Sequence, residues 1–245
     1  MRLRLFLAAA ALTLAAAAPA FAGPPYVTDD PEPTDEGRWE IYNFVGGSHV
    51  PGSTSGEGGL DLNYGGAKDL QLTAVFPFAY DTADDGHFGM GTVELAAKYK
   101  FLHQKDGSAM LDVAFFPRVF LPTAQRDLGS RHTNLLLPIW LGKDFGKWSV
   151  FGGGGYEVNP GEGNRNFWTG GVAVTRQVTD RLNLGAEITH QTADARDGRD
   201  FSGVNVGMVY KLTDHWSLLA SGGPGIQNAR EGGQYDFYLS LKADY

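Results

Sequence analysis

The residues that could carry nucleophilic chemistry are six histidines and the serines that a fold could bring beside them. Lipid hydrolases built on membrane barrels use a serine activated by a histidine, so His190 with Ser202 or Ser221 is the candidate pair. His190 shares the spacing of Leu184 and Ile188, which places it on an apolar face, and no Gly-x-Ser-x-Gly turn occurs. We therefore expect no catalytic residue and no enzyme. A barrel lipid hydrolase remains the less favoured alternative, because separate strands can supply such a triad.

Two groups of aspartates could bind divalent cations. Their members are Asp81, Asp84 and Asp85 before Gly86, and Asp194, Asp197 and Asp200 around two arginines. Neither group supplies the terminal glutamate of a 12-residue calcium loop, so we interpret both as solvated loops, with bridging ions or lipopolysaccharide as the alternative. The chain has no cysteine, no H-E-x-x-H, no phosphate-binding loop and no dinucleotide fingerprint. The sequence therefore predicts no metal and no cofactor.

Charged residues of both signs recur at the polar positions of alternating segments, and function would have to reside among them. In an aqueous pore such charges set ion selectivity, whereas in a closed barrel they pair across the lumen and stabilise it. The sequence leaves both alternatives open. The candidate lumen residues are Asp69, Glu94, Lys98, Lys100, Asp112, Arg118, Glu187, Asp236 and Lys242.

Strands must position these charges, because apolar and polar residues alternate with a period of two. In 91–101, Leu95 falls on the apolar face and Glu94 on the charged one. The same design recurs in 69–80, 181–191 and 235–245. We therefore expect Leu95→Arg to destabilise a membrane barrel and Glu94→Gln to be tolerated.

The lengths of the connections indicate how the strands are arranged. Twelve strands are predicted, at 38–46, 57–64, 69–80, 91–101, 108–121, 133–144, 148–158, 166–177, 181–191, 201–212, 214–221 and 235–245. Longer links (47–56, 81–87, 122–132, 159–165, 192–200 and 222–234) alternate with short ones (65–68, 103–107, 145–147, 178–180 and 213). Tight periplasmic turns and longer outer loops are typical of outer-membrane barrels. The predicted fold is all-β, an antiparallel transmembrane up-and-down β-barrel of about 12 strands.

Aromatic residues and glycines refine this prediction. Two aromatic belts are expected at the interfaces, one of Tyr99, Phe101, Phe145, Trp148, Tyr210, Trp216 and Tyr245, the other of Tyr80, Phe88, Tyr156, Trp168, Phe201 and Tyr235. The glycine run 152–155 is expected to permit a close approach of strands. In 134–141 both faces are apolar and Pro138 interrupts the pattern, so the facing there stays open.

The N-terminus indicates the compartment. Residues 1–22 combine Arg2 and Arg4, an apolar run and Ala20-Phe21-Ala22, which is typical of a secretory signal peptide. Residues 23–37, rich in proline and acidic residues, are interpreted as a periplasmic lead-in, and 38–245 as the barrel. The formal net charge of −8 excludes nucleic acid as a partner.

The whole mature sequence resembles the outer-membrane family associated with the meta-cleavage pathway of phenol degradation, whose members are labelled transporters. The stretches that carry the resemblance are PPYVTDDPEPTDEGRWE at 24–40, GTVELAAKYKF at 91–101, PRVFLPT at 117–123, LGAEITHQTA at 184–193 and VGMVYKLTDHWSLLASGG at 206–223. The chain departs from the family at Ala124, where a glycine is frequent, and at the C-terminal Tyr245, where barrels usually end in phenylalanine. The resemblance implies a porin-like barrel in the outer membrane of a Gram-negative bacterium.

These observations favour an outer-membrane channel or transporter for the passive uptake of small hydrophobic or aromatic molecules. The alternative is a structural or adhesive barrel that acts through its extracellular loops. The expected partners are outer-membrane lipid, lipopolysaccharide, small hydrophobic solutes and, through the C-terminal strand, the barrel assembly machinery.

Overall fold

Twelve antiparallel strands close into one barrel in the computed structural model, which describes residues 24–83, 85–105, 107–125 and 128–245. The predicted signal peptide lies outside these residues. The strands are β1 (Trp39–Val50), β2 (Ser53–Ala67), β3 (Leu70–Asp81), β4 (His87–Met90 and Glu94–Leu102), β5 (Asp112–Phe115 and Arg118–Phe120), β6 (Asn134–Phe145), β7 (Trp148–Val158), β8 (Phe167–Gln177), β9 (Leu182–Gln191), β10 (Phe201–Lys211), β11 (Trp216–Gln227) and β12 (Tyr235–Asp244). A single helical turn, α1 (Ala229–Gly232), lies in the last outer loop. The predicted all-β barrel of about twelve strands is confirmed.

The topology is up-and-down throughout. Each strand pairs with its sequence neighbours, and β1 closes the barrel by pairing with β12 from Glu40 opposite Asp244 to His49 opposite Tyr235. Two strands are interrupted: both parts of β4 pair with β3, and both parts of β5 pair with β6. Among the described residues, no helix is long and apolar enough to cross a membrane.

Two predicted connections change between long and short in the structure, and the last outer link, predicted at 222–234, begins only after Gln227. The long link expected at 47–56 is wrong, because β1 continues to Val50 and β2 begins at Ser53, with Gly52 at φ 93 in the turn. The glycines of this stretch pair in the ladder rather than forming a loop. The link expected to be short at 103–107 extends to residue 111, since β5 begins only at Asp112.

The alternation of each strand separates a lipid face from a lumen face. Leu72 and Leu95 are exposed on the outside, whereas Glu94 is buried inside. β6 is continuous through Pro138, whose inward position places Leu137 and Ile139 on the outer face.

The glycine run of β7 permits the close approach that the sequence predicts. A Cβ at Gly155 would lie 2.6 Å from the Pro138 backbone, so glycine is required at this strand contact.

Most of the predicted belt residues are exposed at the ends of the strands. At one end lie Tyr99, Phe101, Phe145, Trp148, Tyr210, Trp216 and Tyr245, and at the other lie Phe88, Trp168 and Tyr235. Tyr80, Tyr156 and Phe201 are the exceptions, because they are only partly exposed. The Phe201 ring packs against the positions of Gly225 and Gly232. The exposed aromatic residues match the interfacial belts of a membrane barrel.

The N-terminal segment, residues 24–36, runs into the barrel rather than below it. A parallel bridge joins Glu36 to Gly65, and Ser221 on the far side of the lumen donates a hydrogen bond to the Pro25 carbonyl at 2.5 Å. This location differs from the periplasmic one expected from composition. The segment forms few hydrogen bonds within itself. The inner wall of the barrel supplies hydrogen-bond and ion-pair partners for its carboxylates and its free backbone N–H groups.

Candidate functional site in the barrel lumen

One end of the N-terminal segment is held by a buried carboxylate. Glu187 on β9 accepts hydrogen bonds from the backbone N–H groups of Val27 at 3.0 Å and Thr28 at 2.8 Å. Asn205 on β10 donates to the same carboxylate at 2.9 Å. Burial raises the pKa of the neighbouring Tyr26 hydroxyl, and the charge of Glu187 adds to this effect. The Glu187 carboxylate thus holds this end of the segment by accepting hydrogen bonds from its free backbone N–H groups.

The middle of the segment is held by two lysines of β4. Lys98 lies 2.9 Å from Asp29 and 3.8 Å from Asp30, and it also donates to the Glu32 carbonyl at 3.2 Å. Lys100 lies 2.6 Å from the Glu32 carboxylate. Because Lys98 and Asp30 are almost completely buried, these pairs are screened less than surface salt bridges.

Glycines of the inner wall make room for the segment. A Cβ at Gly142 would lie 2.8 Å from Pro31, and one at Gly207 would lie 2.8 Å from the Tyr26 ring. A side chain at Gly171 would collide with the Thr28 hydroxyl. The wall therefore has a shape that fits this segment closely.

Other charges of the wall pair with one another. Arg118 on β5 makes two hydrogen bonds to Glu94, at 2.7 and 2.8 Å. Lys242 on β12 lies 3.0 Å from Glu40 and 2.9 Å from Asp244. These pairs stabilise the lumen wall and leave little of their charge for a passing ion.

Between the segment and the wall formed by β1 to β5 lies a cavity of about 130 Å³. Its lining includes the rings of Tyr26, Tyr42 and Phe116 together with the carboxylate of Asp61 on β2. The cavity shows that the segment does not fill the lumen completely.

Eight of the nine predicted lumen residues face the interior. Glu94, Lys98, Arg118 and Glu187 line the segment or the cavity, and the positions of Lys100, Asp112, Asp236 and Lys242 follow the same inward alternation. Asp69 is a correction: it occupies the β2–β3 turn with a positive φ of 62°, and its carboxylate lies 3.2 Å from His103. The alternation ends at the turn, which is why it misplaced this residue.

Sequence reasoning missed several residues of the site. Asp61, Asn63 and Gln71 share the inward face of β2 and β3, and Asp29 and Glu32 come from the segment itself. The alternation of β3 carried the signal for Gln71, whereas no periodic signal marked the segment.

The candidate dyad for hydrolysis forms only in part. His190 Nδ1 lies 2.9 Å from Ser202 Oγ on the lipid side of the barrel. The Ser202 hydroxyl, however, donates to Gln227 at 2.8 Å. A serine whose proton is directed to an amide is not oriented for removal of that proton by the histidine.

The aspartates of the acidic loops accept hydrogen bonds from neighbouring residues. Asp81 accepts from the Ser53 hydroxyl and the Ala83 N–H, and Asp200 accepts from the Ala193 N–H. Asp84 lies outside the described residues. Within residues 24–83, 85–105, 107–125 and 128–245, no three acidic, histidine or cysteine side chains are grouped as a metal site.

An aromatic recess of about 360 Å³ opens at the outer rim between β3 and β4. Tyr80, His87 and Phe88 line it, and the Phe88 ring stacks on Phe78 with centroids 5.7 Å apart. Phe88 is 73 % exposed. The recess thus combines these rings with the acidic side chains of Asp81 and Asp85 at the outer end of the barrel.

Comparison with known proteins places these features in context. A model of the family described as "Putative MetA-pathway of phenol degradation" matches residues 26–243. The structure is similar to that of an outer membrane channel from Pseudomonas putida F1, with a TM-score of 0.71 and 19 % identity over 88 % of this chain and 98 % of that chain. No match was found among the curated proteins.

Two porins share the same barrel fold. NanC superposes with a TM-score of 0.55 and 11 % identity over 84 % of this chain and 98 % of its own. KdgM, solved with a disordered oligogalacturonate, has a TM-score of 0.55 and 10 % identity over 85 % of this chain and 99 % of its own. Both similarities establish the architecture alone.

Proposed function

The chain belongs to the MetA-pathway phenol-degradation family of Gram-negative outer-membrane barrels, and from this premise we propose that it is a channel for the passive uptake of small hydrophobic or aromatic molecules. The polar lipopolysaccharide leaflet excludes such molecules, so a protein route across it is useful to a cell that consumes them. Outer-membrane lipid and lipopolysaccharide surround the barrel, and the C-terminal strand would engage the assembly machinery.

The observation that carries the proposal is how the lumen is closed. A barrel with a purely structural role can fill its interior with its own wall side chains, as eight-stranded barrels do. Here a separate stretch of chain, residues 24–36, occupies the interior through hydrogen bonds and ion pairs to Glu187, Lys98 and Lys100. A non-covalent closure can open, whereas a wall of packed side chains cannot.

The outer recess supports an apolar solute. Its aromatic rings, which belong to the outer belt of the barrel, offer a stacking surface at the rim. The neighbouring Asp81 and His87 give the recess a polar edge. This combination suits a small aromatic compound that carries a hydroxyl group.

The decisive experiment locks the segment in place. Thr28 and Gly171 are in contact, so the double variant Thr28→Cys/Gly171→Cys should form a disulfide in a chain that has no other cysteine. Proteoliposomes that contain an enzyme acting on phenol would report its entry. We expect oxidised double variant to admit phenol at least fivefold more slowly than the reduced protein.

The single variants are the matched controls, because each carries one thiol and cannot form the internal bond. Their uptake should be unchanged by oxidant. Heat-modifiable mobility on gels verifies that every variant is folded. If oxidised and reduced double variant admit phenol equally, the segment does not control the route, and if no folded protein speeds entry over empty liposomes, the proposed function is wrong.

A further inference from the structure

The partners of Lys98 set it apart from the other three basic residues predicted to face the lumen. Among the described residues, its ion pairs and side-chain hydrogen bonds all go to the N-terminal segment: to the carboxylates of Asp29 at 2.9 Å and Asp30 at 3.8 Å, and to the Glu32 carbonyl at 3.2 Å. The wall itself supplies a carboxylate to each of the other three, which are Lys100, Arg118 and Lys242. When the segment leaves the lumen, Lys98 therefore loses its carboxylate partners, whereas the other three keep one.

The wall carboxylates of the lumenal cavity are not placed to take over at Lys98. Glu40 and Glu94 are bound by other basic residues of the wall, at 3.0 and 2.7 Å. Asp61 lies at the level of Glu94 in the strand register, four residues along β4 from Lys98, which corresponds to about 13 Å. In the open lumen, Lys98 is thus available to a carboxylate from outside.

An aromatic ring lies beside the Lys98 ammonium group. The Lys98 Nζ is 4.9 Å from the centroid of the Phe116 ring, and both residues line the cavity of about 130 Å³ between the segment and the wall. A cavity of about 150 Å³ can hold benzene, so the space next to Phe116 is close to the size of a single ring. The site therefore joins an ammonium group that binds carboxylates to room for one aromatic ring.

We propose that Lys98 and Phe116 bind a small aromatic carboxylate, and that such a solute releases the N-terminal segment by replacing Asp29 at Lys98. Asp29 is then an internal competitor of the solute, because both present a carboxylate to the same ammonium group. A ligand that binds only the released form shifts the equilibrium towards that form. The inference rests on the proposed function, since it assigns the opening of that channel to a class of solute.

The test measures release of the segment through the single-cysteine variant Thr28→Cys. Thr28 is 1 % exposed, lies against Gly171 and does not line the cavity, so a maleimide should reach this position only after the segment has left the wall. The full mature protein in detergent receives benzoate, acetate or benzamide at the same concentration and at constant ionic strength. We expect benzoate to speed labelling by about tenfold when its concentration is about ten times its dissociation constant. Acetate lacks the ring and benzamide lacks the charge, so both should leave the rate close to that in chloride.

Two substitutions in this background each remove one ion pair between the wall and the segment. Lys98→Gln and Lys100→Gln should both label faster than their parent without any solute. Lys100→Gln is the matched control and should still respond to benzoate, because Lys100 does not line the cavity. Lys98→Gln should lose the response, and Phe116→Leu should need a higher benzoate concentration because the ring contact is gone.

Calorimetry of benzoate binding gives a second readout. In the oxidised Thr28→Cys/Gly171→Cys protein, the disulfide holds the segment at the position next to Asp29, so Asp29 stays at Lys98. This form should bind benzoate about tenfold more weakly than the reduced form, which can release the segment.

Four results would overturn the inference: labelling that ignores benzoate, acetate or benzamide acting as strongly as benzoate, a Lys98→Gln variant that keeps the response, or equal binding to the oxidised and reduced double variant. Uptake of phenol in the absence of benzoate tests the channel separately. A barrel that responds to benzoate but admits no phenol contradicts the proposed function alone, and one that admits phenol without responding to benzoate contradicts this inference alone.

Discussion

Glu94→Gln should destabilise the barrel, although the sequence alone predicts that it is tolerated. Glu94 is 7 % exposed at its side chain and accepts two hydrogen bonds from Arg118. Removing one member of a fully buried pair costs about 3–5 kcal/mol, since the other charge is left without a partner. The cost here is smaller, because the Arg118 side chain is 30 % exposed and its guanidinium lies 5.5 Å from the Phe116 ring and 5.7 Å from the Phe120 ring. We expect a loss of about 1–3 kcal/mol.

The assay is a urea titration of folding in lipid vesicles, followed by tryptophan fluorescence and heat-modifiable mobility. Arg118→Gln and the double variant complete a thermodynamic cycle. The double variant should lose less stability than the two single variants together, because it leaves no unpaired charge. A Glu94→Gln protein within about 0.5 kcal/mol of the natural one, or strictly additive losses, would refute the reasoning.

Three further predictions concern faces, topology and pH. Leu95→Arg, on the lipid side, should cost about 2–4 kcal/mol in the same titration. An epitope inserted in the loop 192–200 should bind antibody on intact cells, whereas one in the turn 178–181 should bind only after lysis, and equal labelling would contradict the strand order. Burial raises the pKa of the Asp30 carboxyl to about 7 when the segment is seated, above its ordinary value of about 3.9 in water. The contribution of Asp30 to the seating of the segment should therefore weaken as the pH rises from about 4 to about 7; a spin label at the exposed Val27→Cys should become more mobile over that range, and Asp30→Asn should flatten the response.

The alternation of side chains made the wall of the barrel predictable. It placed Leu95 outside and Glu94 inside because a strand that separates lipid from a polar lumen must alternate at every residue. It also gave the number of strands, since each turn resets the pattern. Where glycine replaces the apolar member, as around Gly47 and Gly56, the periodic signal disappears and a strand resembles a loop. For this reason the sequence predicts a loop at 47–56, where the structure has the first hairpin.

The location of the N-terminal segment could not be predicted in the same way. Its prolines and carboxylates fit a free periplasmic stretch equally well, because composition reports what a segment cannot form and not what it binds. The glycines at 171, 185 and 207 are the signal that was available, since all three fall on the inward face. Glycine at an inward position weakens a strand unless another backbone approaches there.

The charged side chains of the wall have a different role when the segment is in place. Lys98 and Lys100 are the residues that a reading of the wall alone would assign to ion selectivity, yet both bind carboxylates of the segment. Neutralising both lysines would change the electrostatic potential of the lumen and would also release the segment. A shift in reversal potential would therefore not reveal which of the two effects caused it. The disulfide between positions 28 and 171 separates the two, because it holds the segment while the charges are removed. A shift in reversal potential that persists in the locked protein is caused by the changed electrostatic potential of the lumen. A shift that disappears in the locked protein is caused by movement of the segment.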